Sequence, residues 1–424
     1  MTELSKKSFS CYVVVYLTIV LLSLLYLSRV HLFGWHWAYW ILVAYGIVVT
    51  PYLIFRLVAT YLYQSIPYQN YHPTVSVVVP VYNEEVSIGS TIDSIFSSDY
   101  PKDKLELVVI DDKSTDNTLE AINRKCLEYD FKVIALDKNG GKRHALAAGF
   151  KQCTGEILVC IDSDTVIKSD AIKMVVQPFT DDGVYCVCGN AVAANDSKSD
   201  NTLARLQKAW YADSFRIRKG VESLFGMVIC CSGVLAAYRR DKVEMVVDDW
   251  VNEKFLGRHF ESGDDRQLTN RMLKMGGKSV FQSTALAYTV VPHISKVFLV
   301  QQVRWGRSGF RGMLYASKFF YKKKPVQQVL FYLTMFMTFF SPVSFLVNTL
   351  GLLLLGQYES MIVYFIGLFL ISIMTALSTK LLVDYFTFKD IFYRILFTVV
   401  ALGLSFVYLY AWITLWKGNI WGTR

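Results

Sequence analysis

Long apolar runs at both ends of the chain constrain its fold more than any other feature. Residues 9–28 are uncharged and 37–57 carry one arginine, and further runs occupy about 327–354, 359–378 and 391–416. About 20 apolar residues suffice for a helix to cross a hydrocarbon core of ~30 Å. A signal peptide is the alternative for the first run, but a second run follows at once and no small-x-small cleavage pattern is present. We therefore predict an integral membrane protein.

The charged middle of the chain defines the domain organisation. The chain is 53% hydrophobic and 19% charged, and most of the charge lies between about residues 64 and 325. This distribution is typical of a globular domain placed between membrane-spanning ends. We predict two transmembrane helices in 1–63, a globular domain in 64–290, interfacial helices in 291–325 and a transmembrane or re-entrant region in 326–424.

The basic residues indicate which side of the membrane this domain occupies. Lys6 and Lys7 precede the first apolar run and Lys322–Lys324 precede the third, whereas the connection at 355–360 has no lysine or arginine. By the positive-inside rule, the N-terminus and the central domain are cytoplasmic. The net charge of +9 is then mostly a topology signal. Because no basic stripe with interleaved aromatic residues is present, we expect no nucleic-acid partner.

The eight cysteines give no sign of disulfides or of a zinc site. Seven of them lie in the domain assigned to the cytoplasm, where disulfides rarely persist. Cys186-x-Cys188 and Cys230-Cys231 lack the spacing of zinc ligands, and no paired histidines follow them. We interpret them as small buried residues near a cleft.

Alternating strand and helix patterns predict the fold of the middle domain. The runs Thr74–Pro80, Leu105–Ile110 and Glu156–Ile161 are rich in β-branched residues and are separated by helix-like stretches. Strands that alternate with helices form a mostly parallel α/β sheet. Each run ends in a polar motif, and the carboxyl ends of parallel strands are where such sheets bind ligands.

The motifs after the first two strands indicate a nucleotide site. Tyr82 and Glu84 follow the first strand, and Asp112 follows the second. An acid at the end of a buried strand is well suited to accept a hydrogen bond from a uracil imide or a ribose hydroxyl. Simple helix caps are the structural alternative for both motifs.

A basic pair at a predicted helix start points to a diphosphate. Lys142-Arg143 directly follow Gly140-Gly141. Because backbone N–H groups at a helix start attract anions, this placement favours a bound diphosphate over a solvated surface, which is the alternative.

Asp162-Ser163-Asp164 is the sharpest sign of a metal site. Two carboxylates at i and i+2 directly after a hydrophobic strand can face one divalent ion. Mg²⁺ and Mn²⁺ prefer hard oxygen ligands together with diphosphate oxygens. Such an ion would offset charge on a departing nucleoside diphosphate. A plain turn at the strand end is the alternative.

The stretch Asp264-Asp265-Arg266 supplies a candidate base. A hydroxyl that attacks an anomeric carbon must lose its proton as the new bond forms. A buried carboxylate beside a like charge has a raised pKa and can accept that proton. One such base suffices for inverting transfer, whereas a retaining enzyme uses two carboxylates. An acidic helix cap is the alternative.

Gln301-x-x-Arg304-Trp305 completes the candidate site. A tryptophan ring can stack on the apolar face of a sugar, and Arg304 can neutralise phosphate. A tryptophan-arginine pair at a membrane interface is the alternative reading.

Taken together, these motifs resemble those of the processive family 2 glycosyltransferases, most closely the membrane hyaluronan synthases. Chitin synthases and rhizobial chitin-oligomer synthases share most of the set. They more often carry Glu-Asp-Arg where this chain has Gly-Asp-Asp-Arg. The motifs run in family order over nearly the whole chain: Val81-Tyr82-Asn83-Glu84, Asp111-Asp112-Lys113-Ser114, Gly141-Lys142-Arg143, Asp162-Ser163-Asp164-Thr165, Cys230-Cys231-Ser232-Gly233, Gly263-Asp264-Asp265-Arg266, Gln301-x-x-Arg304-Trp305 and Trp421-Gly422-Thr423-Arg424.

The resemblance implies a GT-A-type α/β glycosyltransferase domain inserted between transmembrane helices, in a multi-pass protein of the plasma membrane. The implied activity is the polymerisation of hyaluronan from UDP-GlcNAc and UDP-GlcA with Mg²⁺ or Mn²⁺, and export of the nascent polysaccharide through the bilayer. A chitin or chitin-oligomer synthase that uses only UDP-GlcNAc is the alternative.

The resemblance also implies a role for each matching residue. Asp265 is implied as the base, beside Asp264 and Arg266. The implied contacts are Tyr82, Glu84 and Asp112 with the uridine; Lys142, Arg143 and Asp162 with the diphosphate; Asp164 with the metal; Gln301 and Arg304 with the diphosphate; Trp305, Cys230, Cys231 and Ser232 with the acceptor; and Thr423 and Arg424 with the nucleotide. Lys113 departs from the family pattern, because glycine is usual there, and the departure concerns the geometry of this turn only.

The end of the chain raises a topological conflict. Two spans before the domain and three after it would place Arg424 outside, whereas the resemblance needs it beside the nucleotide. The charged stretch 379–390 is typical of an interfacial segment. We therefore expect 391–416 to be re-entrant or split at Gly403, and the C-terminus to be cytoplasmic.

Overall fold

The computed structural model describes residues 37–195, 199–260, 262–354 and 356–417. The predicted membrane helix at 9–28 and the terminal residues Thr423 and Arg424 lie outside these ranges. The described part consists of a sheet domain and a set of long apolar helices.

An eight-stranded sheet forms the centre of the middle domain. Its strand order is β3-β2-β1-β4-β7-β6-β10-β5, and β8 and β9 form a separate antiparallel pair. The strands β3, β2, β1 and β4 pair in parallel, as do β6 and β10. The strands are β1 Val75–Val81, β2 Leu105–Asp111, β3 Lys132–Ala135, β4 Ile157–Cys160, β5 Thr165–Ile167, β6 Val184–Ala193, β7 Ala236–Arg239, β8 Lys254–Phe255, β9 Arg258–His259 and β10 Lys278–Thr289.

The first strand shows why this sheet is parallel and central. All seven residues of β1 are buried, as expected for a continuous β-branched strand that is covered on both faces. Val79 lies opposite Val109 of β2, and Val78 lies opposite Cys160 of β4. The polar motifs after β1, β2 and β4 therefore meet at one edge, and the predicted mostly parallel α/β fold is confirmed.

Helices connect the strands and surround the sheet. In the domain they are α2 Ile88–Phe96, α3 Thr118–Lys125, α4 Lys142–Phe150, α5 Ala171–Val175, α6 Thr202–Asp213, α7 Gly220–Leu224, α8 Arg240–Glu244, α9 Val247–Val251 and α10 Asp264–Lys274. A π-helical segment, Ser214–Lys219, joins α6 to α7. The remaining α-helices are α1 Trp37–Ala59, α11 Ser295–Phe320, α12 Pro325–Leu346, α13 Leu352–Leu354, α14 Tyr358–Leu382 and α15 Phe388–Ile413.

Helix α11 connects the domain to the apolar helices and is packed closely on two sides. A Cβ on Gly312 would lie 2.2 Å from Cδ of Arg266 in α10. A Cβ on Gly306 would lie 2.9 Å from Cβ of Ala411 in α15. Because these two glycines have no side chains, α11 packs closely against the start of α10 on one side and against α15 on the other.

Four helical segments in the described part of the chain are long and apolar enough to cross a membrane. They are Tyr45–Leu62, Pro325–Leu354, Met361–Leu382 and Phe388–Ile413. The apolar runs predicted at 37–57, 327–354, 359–378 and 391–416 overlap these four segments.

The expectation of a break at Gly403 is wrong. Helix α15 runs without interruption from Phe388 to Ile413. A glycine inside a helix costs only about 1 kcal/mol relative to alanine, so continuous apolar packing can retain the helix. The charged stretch 379–390 forms the end of α14, a connection and the first turn of α15, where Thr387 and Asp390 make reciprocal capping hydrogen bonds.

Candidate active site

A cavity of about 700 Å³ opens at the carboxyl edge of the sheet. It brings together residues from loops that are far apart in the sequence, because β1 and β4 are neighbours and α10 and α11 close the opposite wall. The predicted site residues that line it are Tyr82, Glu84, Lys142, Asp162, Asp164, Cys230, Ser232, Asp264, Asp265, Arg266, Gln301, Arg304 and Trp305.

Lys142 links the two acidic motifs of this cavity. Its amine lies 2.5 Å from Oδ1 of Asp162 and 3.5 Å from Oδ2 of Asp264. Burial alone would lower the pKa of this amine, but the charges of Asp162 and Asp264 outweigh burial and raise it. The side chain therefore remains a cation in the cavity, and it begins α4 directly after Gly141, whose φ of 82° a residue with a Cβ rarely adopts.

Asp265 has the environment of a base. Its Oδ1 accepts a hydrogen bond of 2.7 Å from the backbone N–H of Arg266, and its Oδ2 lies 3.3 Å from the Cys230 thiol, which donates to it. Burial, followed by the charge of Asp264, raises the pKa of the Asp265 carboxyl above its usual value. A raised pKa makes this carboxylate a stronger proton acceptor than an exposed aspartate.

The turn before Asp264 depends on a glycine. Gly263 has a φ of 92°, and a Cβ there would lie 2.2 Å from Oγ of Ser308 in α11. The indole N–H of Trp250 donates a 3.0 Å hydrogen bond to the carbonyl of Asp264. Close packing by α11 and an anchor from α9 thus fix the start of α10, so the two acids face the cavity.

Three predicted residues are held away from the cavity lining. The carboxylate of Asp112 accepts hydrogen bonds of 2.8 Å from the N–H groups of Gly140 and Gly141, so it fixes the loop that presents Lys142. Arg143 is buried and donates to the carbonyl of Trp250. Cys231 is also buried, and its backbone N–H donates to Thr269.

The turn at Lys113 keeps a left-handed backbone conformation. This residue has a φ of 62°, in the left-handed region where glycine is strain-free. The turn that usually carries glycine is therefore retained here with a lysine, and the backbone N–H of Ser114 still lies within 3.3 Å of the Asp111 carboxylate.

An aromatic cluster beside Trp305 was not predicted. The ring centroids of Trp305 and Trp210 are 6.0 Å apart, and Trp210 stacks on Phe397 of α15 at 5.3 Å. Tyr211 lies next to both tryptophans and also lines the cavity. Nothing in the local sequence of α6 distinguishes these rings from ordinary core residues.

The cavity continues past the acids to residues of the apolar helices. Its far wall includes Tyr52 of α1, Thr334 and Ser341 of α12, and Ser405 of α15. Arg56 of α1 lines the same region. Because it is the one charged residue in the apolar run 37–57, the sequence could have identified it as a functional residue.

Asp162 and Asp164 offer the donor chemistry of a divalent-ion site. Both line the cavity, and carboxylate oxygens are the ligands that Mg²⁺ and Mn²⁺ prefer. In the described ranges no group of three His, Cys, Asp or Glu residues could hold an ion alone. The pair therefore fits an ion that takes its remaining ligands from a bound diphosphate.

Comparison with known proteins gives a consistent assignment. A family model described as glycosyl transferase family 2 matches residues 76–246. The hyaluronan synthase of Streptococcus pyogenes is 33% identical over 308 residues, which cover 71% of each chain. An N-acetylglucosaminyltransferase of Bradyrhizobium diazoefficiens is 34% identical over 242 residues, 56% of this chain and 49% of that protein.

A solved structure shares the fold. The mannosyltransferase PcManGT from Pyrobaculum calidifontis, in complex with GDP-Man and Mn²⁺, superposes with a TM-score of 0.56 at 19% identity, over 87% of this chain and 97% of that one. The fold and the cavity, with its carboxylates at the sheet edge, define a glycosyltransferase with a GT-A-like domain and membrane-helix candidates. The chain belongs to glycosyl transferase family 2 and, within it, resembles the hyaluronan synthases.

Proposed function

We propose that this protein is a processive inverting glycosyltransferase that polymerises hyaluronan from UDP-GlcNAc and UDP-GlcA and passes the polymer across the membrane. The observation that carries the proposal is the single cavity that joins Asp265 and Trp305 to residues of three membrane-helix candidates. A soluble transferase would not need its acceptor site to continue between apolar helices.

The donor would bind at the carboxyl edge of the sheet. Tyr82 and Glu84 would contact the uridine, and the cation of Lys142, with Gln301 and Arg304 across the cavity, would neutralise the diphosphate. Asp112 would act through the Gly140-Gly141 loop that it holds. Asp162 and Asp164 would hold Mg²⁺ or Mn²⁺ together with diphosphate oxygens, and the ion would offset charge on the leaving UDP.

Asp265 would take the proton from the acceptor hydroxyl. As that oxygen attacks the anomeric carbon, the bond from this carbon to the UDP oxygen breaks and the configuration inverts. Burial and Asp264 raise the pKa of Asp265, which favours proton transfer to it. Trp305, next to Trp210, would support the acceptor sugar by stacking on its apolar face.

The charge of the far cavity favours an acidic polymer. Arg56 lies within a membrane-span candidate, and it lines the cavity together with Arg218. The carboxylate of Glu222 lies 4.0 Å from the guanidinium of Arg218, at the limit of an ion pair. A cation within a membrane-span candidate is costly and typically marks the path of a charged substrate. Carboxylates of a GlcA-containing chain would balance this charge, whereas neutral chitin would not.

The alternative is a chitin-type synthase that uses UDP-GlcNAc alone. The similarity to N-acetylglucosaminyltransferases over the catalytic half of the chain supports it. Membranes that contain the protein should be incubated with each UDP-sugar separately and with both. We expect polymer only with both donors, and its digestion by a hyaluronan-specific lyase. Lyase-resistant polymer from UDP-GlcNAc alone would establish the alternative instead.

The catalytic domain would face the cytoplasm, where UDP-sugars are made, in a multi-pass protein of the plasma membrane. Helix α15 supports a cytoplasmic C-terminus, because both of its ends contact parts of the chain on the catalytic side. Asp390 lies 4.0 Å from Lys208 of α6, and Thr414 accepts a hydrogen bond from Arg307 of α11. A helix that spanned the bilayer upright would hold only one end near the domain.

A further inference from the structure

Arg311 lies between the turn that presents Asp264 and Asp265 and the chain that follows the last helix. Its guanidinium donates a 2.6 Å hydrogen bond to Oγ of Ser262, which immediately precedes the Gly263 turn. The same group donates to the carbonyls of Leu415 at 3.2 Å and Lys417 at 3.4 Å. One side chain of α11 therefore bonds both to the loop that presents Asp264 and Asp265 and to the chain that follows α15.

The side chain of Arg311 is enclosed by its surroundings. The side chain is 1% exposed, and its guanidinium lies 4.4 Å from the ring centroid of Phe260. Burial, together with the charges of Arg307 and Arg143, lowers the pKa of the guanidinium to about 10. It is still charged at neutral pH, so its hydrogen bonds are charge-assisted and geometrically specific.

Neighbouring contacts reinforce both arms of this bridge. On the catalytic side, Ser308 packs against Gly263 so closely that no Cβ would fit there. On the membrane side, Arg307 donates to Oγ1 of Thr414 at 3.1 Å and 3.0 Å through Nε and Nη2. The part of α11 after Trp305 therefore contacts the turn before Asp264 on one side and the residue that follows α15, Thr414, on the other.

We propose that Arg311 is a positioning residue, which couples the location of the Asp264-Asp265 turn to the end of α15. The role rests on the proposed glycosyl transfer, but it is separate from it, since Arg311 lies outside the cavity lining. Displacing a base by about 1 Å can reduce a rate by roughly two orders of magnitude, so a remote bridge of this kind can control turnover.

The test compares Arg311→Met, Ser262→Ala and the double variant in membranes, with kcat and KM measured for each UDP-sugar. We expect each single variant to lower kcat about tenfold or more, with KM changed less than about threefold, because the turn moves while the donor contacts remain. The double variant should be no worse than Arg311→Met alone, since both changes break the same bridge. Arg311→Lys should restore part of kcat, because it keeps one charged donor.

Lys318→Met is the matched control, because Lys318 is an exposed cation on the same helix. It should leave kcat unchanged. The thermal unfolding temperature of each purified variant separates coupling from misfolding: Ser262→Ala should unfold near the wild-type temperature. Additive effects of Ser262→Ala and Arg311→Met, or normal kcat in both, would overturn the coupling. Wild-type membranes that make no polymer would instead refute the proposed function.

Discussion

The thiol of Cys230 donates a hydrogen bond to Oδ2 of Asp265 at 3.3 Å, inside the cavity that also contains Lys142 and Trp305. A thiol is a weak donor, so it orients the carboxylate without strongly stabilising its charge. The base is thereby held in place while burial and Asp264 keep its pKa raised. The role of Asp265 as the base can therefore be tested by substitution and by the pH dependence of kcat.

Removing the base should abolish transfer and spare donor binding. Asp265→Asn keeps the size of the side chain but cannot accept a proton, so we expect kcat to fall by about 10²–10⁴-fold. Binding of UDP, measured by calorimetry on the purified protein, should stay within about threefold of wild type. Asp248→Asn, an exposed acid on α9, is the control and should retain activity. Near-normal turnover of Asp265→Asn would exclude this residue as the base.

The pH profile should report the raised pKa of Asp265. The carboxyl must be ionised to accept a proton, so kcat should fall as the pH drops through its pKa, and this fall should occur above the pH at which an ordinary aspartate titrates. Cys230→Ala removes a donor to the charged form, which should move the acid limb to higher pH by less than about one unit. Cys126→Ala, an exposed cysteine, should leave the profile unchanged. An unmoved acid limb in Cys230→Ala would contradict the hydrogen bond's role.

Lys142 should matter for both donor binding and the arrangement of the acids. Lys142→Met leaves Asp162, Asp264 and Asp265 without the cation that separates their charges. We expect a higher KM for the UDP-sugars and a kcat lowered by roughly tenfold or more, with Lys142→Arg partly active. Lys138→Met, an exposed change just before the same loop, is the control. Unchanged KM in Lys142→Met would argue against diphosphate binding by this amine.

The arginines of the far cavity should govern how long the polymer is retained. Arg56→Gln and Arg218→Gln remove the charges that we assign to polymer carboxylates. A loss of about 1.4 kcal/mol of binding corresponds to a roughly tenfold faster release, so the product should be shorter at a nearly normal initial rate of transfer. Gel sizing of radiolabelled product measures this. Arg205→Gln, exposed on α6, should give wild-type lengths, and wild-type lengths in both cavity variants would remove this support for an acidic polymer.

The C-terminus should be inaccessible from outside the cell. A cysteine introduced as Thr423→Cys should react with an impermeant maleimide only after the cells are permeabilised, because we place this end on the catalytic side. Gln357→Cys, in the exposed turn before α14, should react in intact cells. Native Cys126 is a further internal reference for the cytoplasmic domain. Labelling of Thr423→Cys in intact cells would overturn the proposed topology.

Much of the fold could be predicted from local patterns. The β-branched runs marked β1, β2 and β4 to within one or two residues, because a parallel strand buried on both faces must be apolar throughout. The long apolar runs predicted the membrane-helix candidates, because the thickness of the hydrocarbon core determines how many apolar residues a spanning helix needs. Gly403 misled the prediction, because glycine weakens a helix without necessarily ending it.

Local sequence patterns therefore predicted the secondary-structure elements, the acidic motifs at strand ends and Asp265 as the candidate base. Tertiary structure alone decided which side chains meet. Packing buries Arg143, and Asp112 bonds to the Gly140-Gly141 loop. Arg311 connects Ser262 to the chain that follows α15. Strand periodicity and the length of an apolar run are visible in neighbouring residues. These contacts instead join residues 28 to 107 positions apart, and they depend on packing that no local pattern encodes.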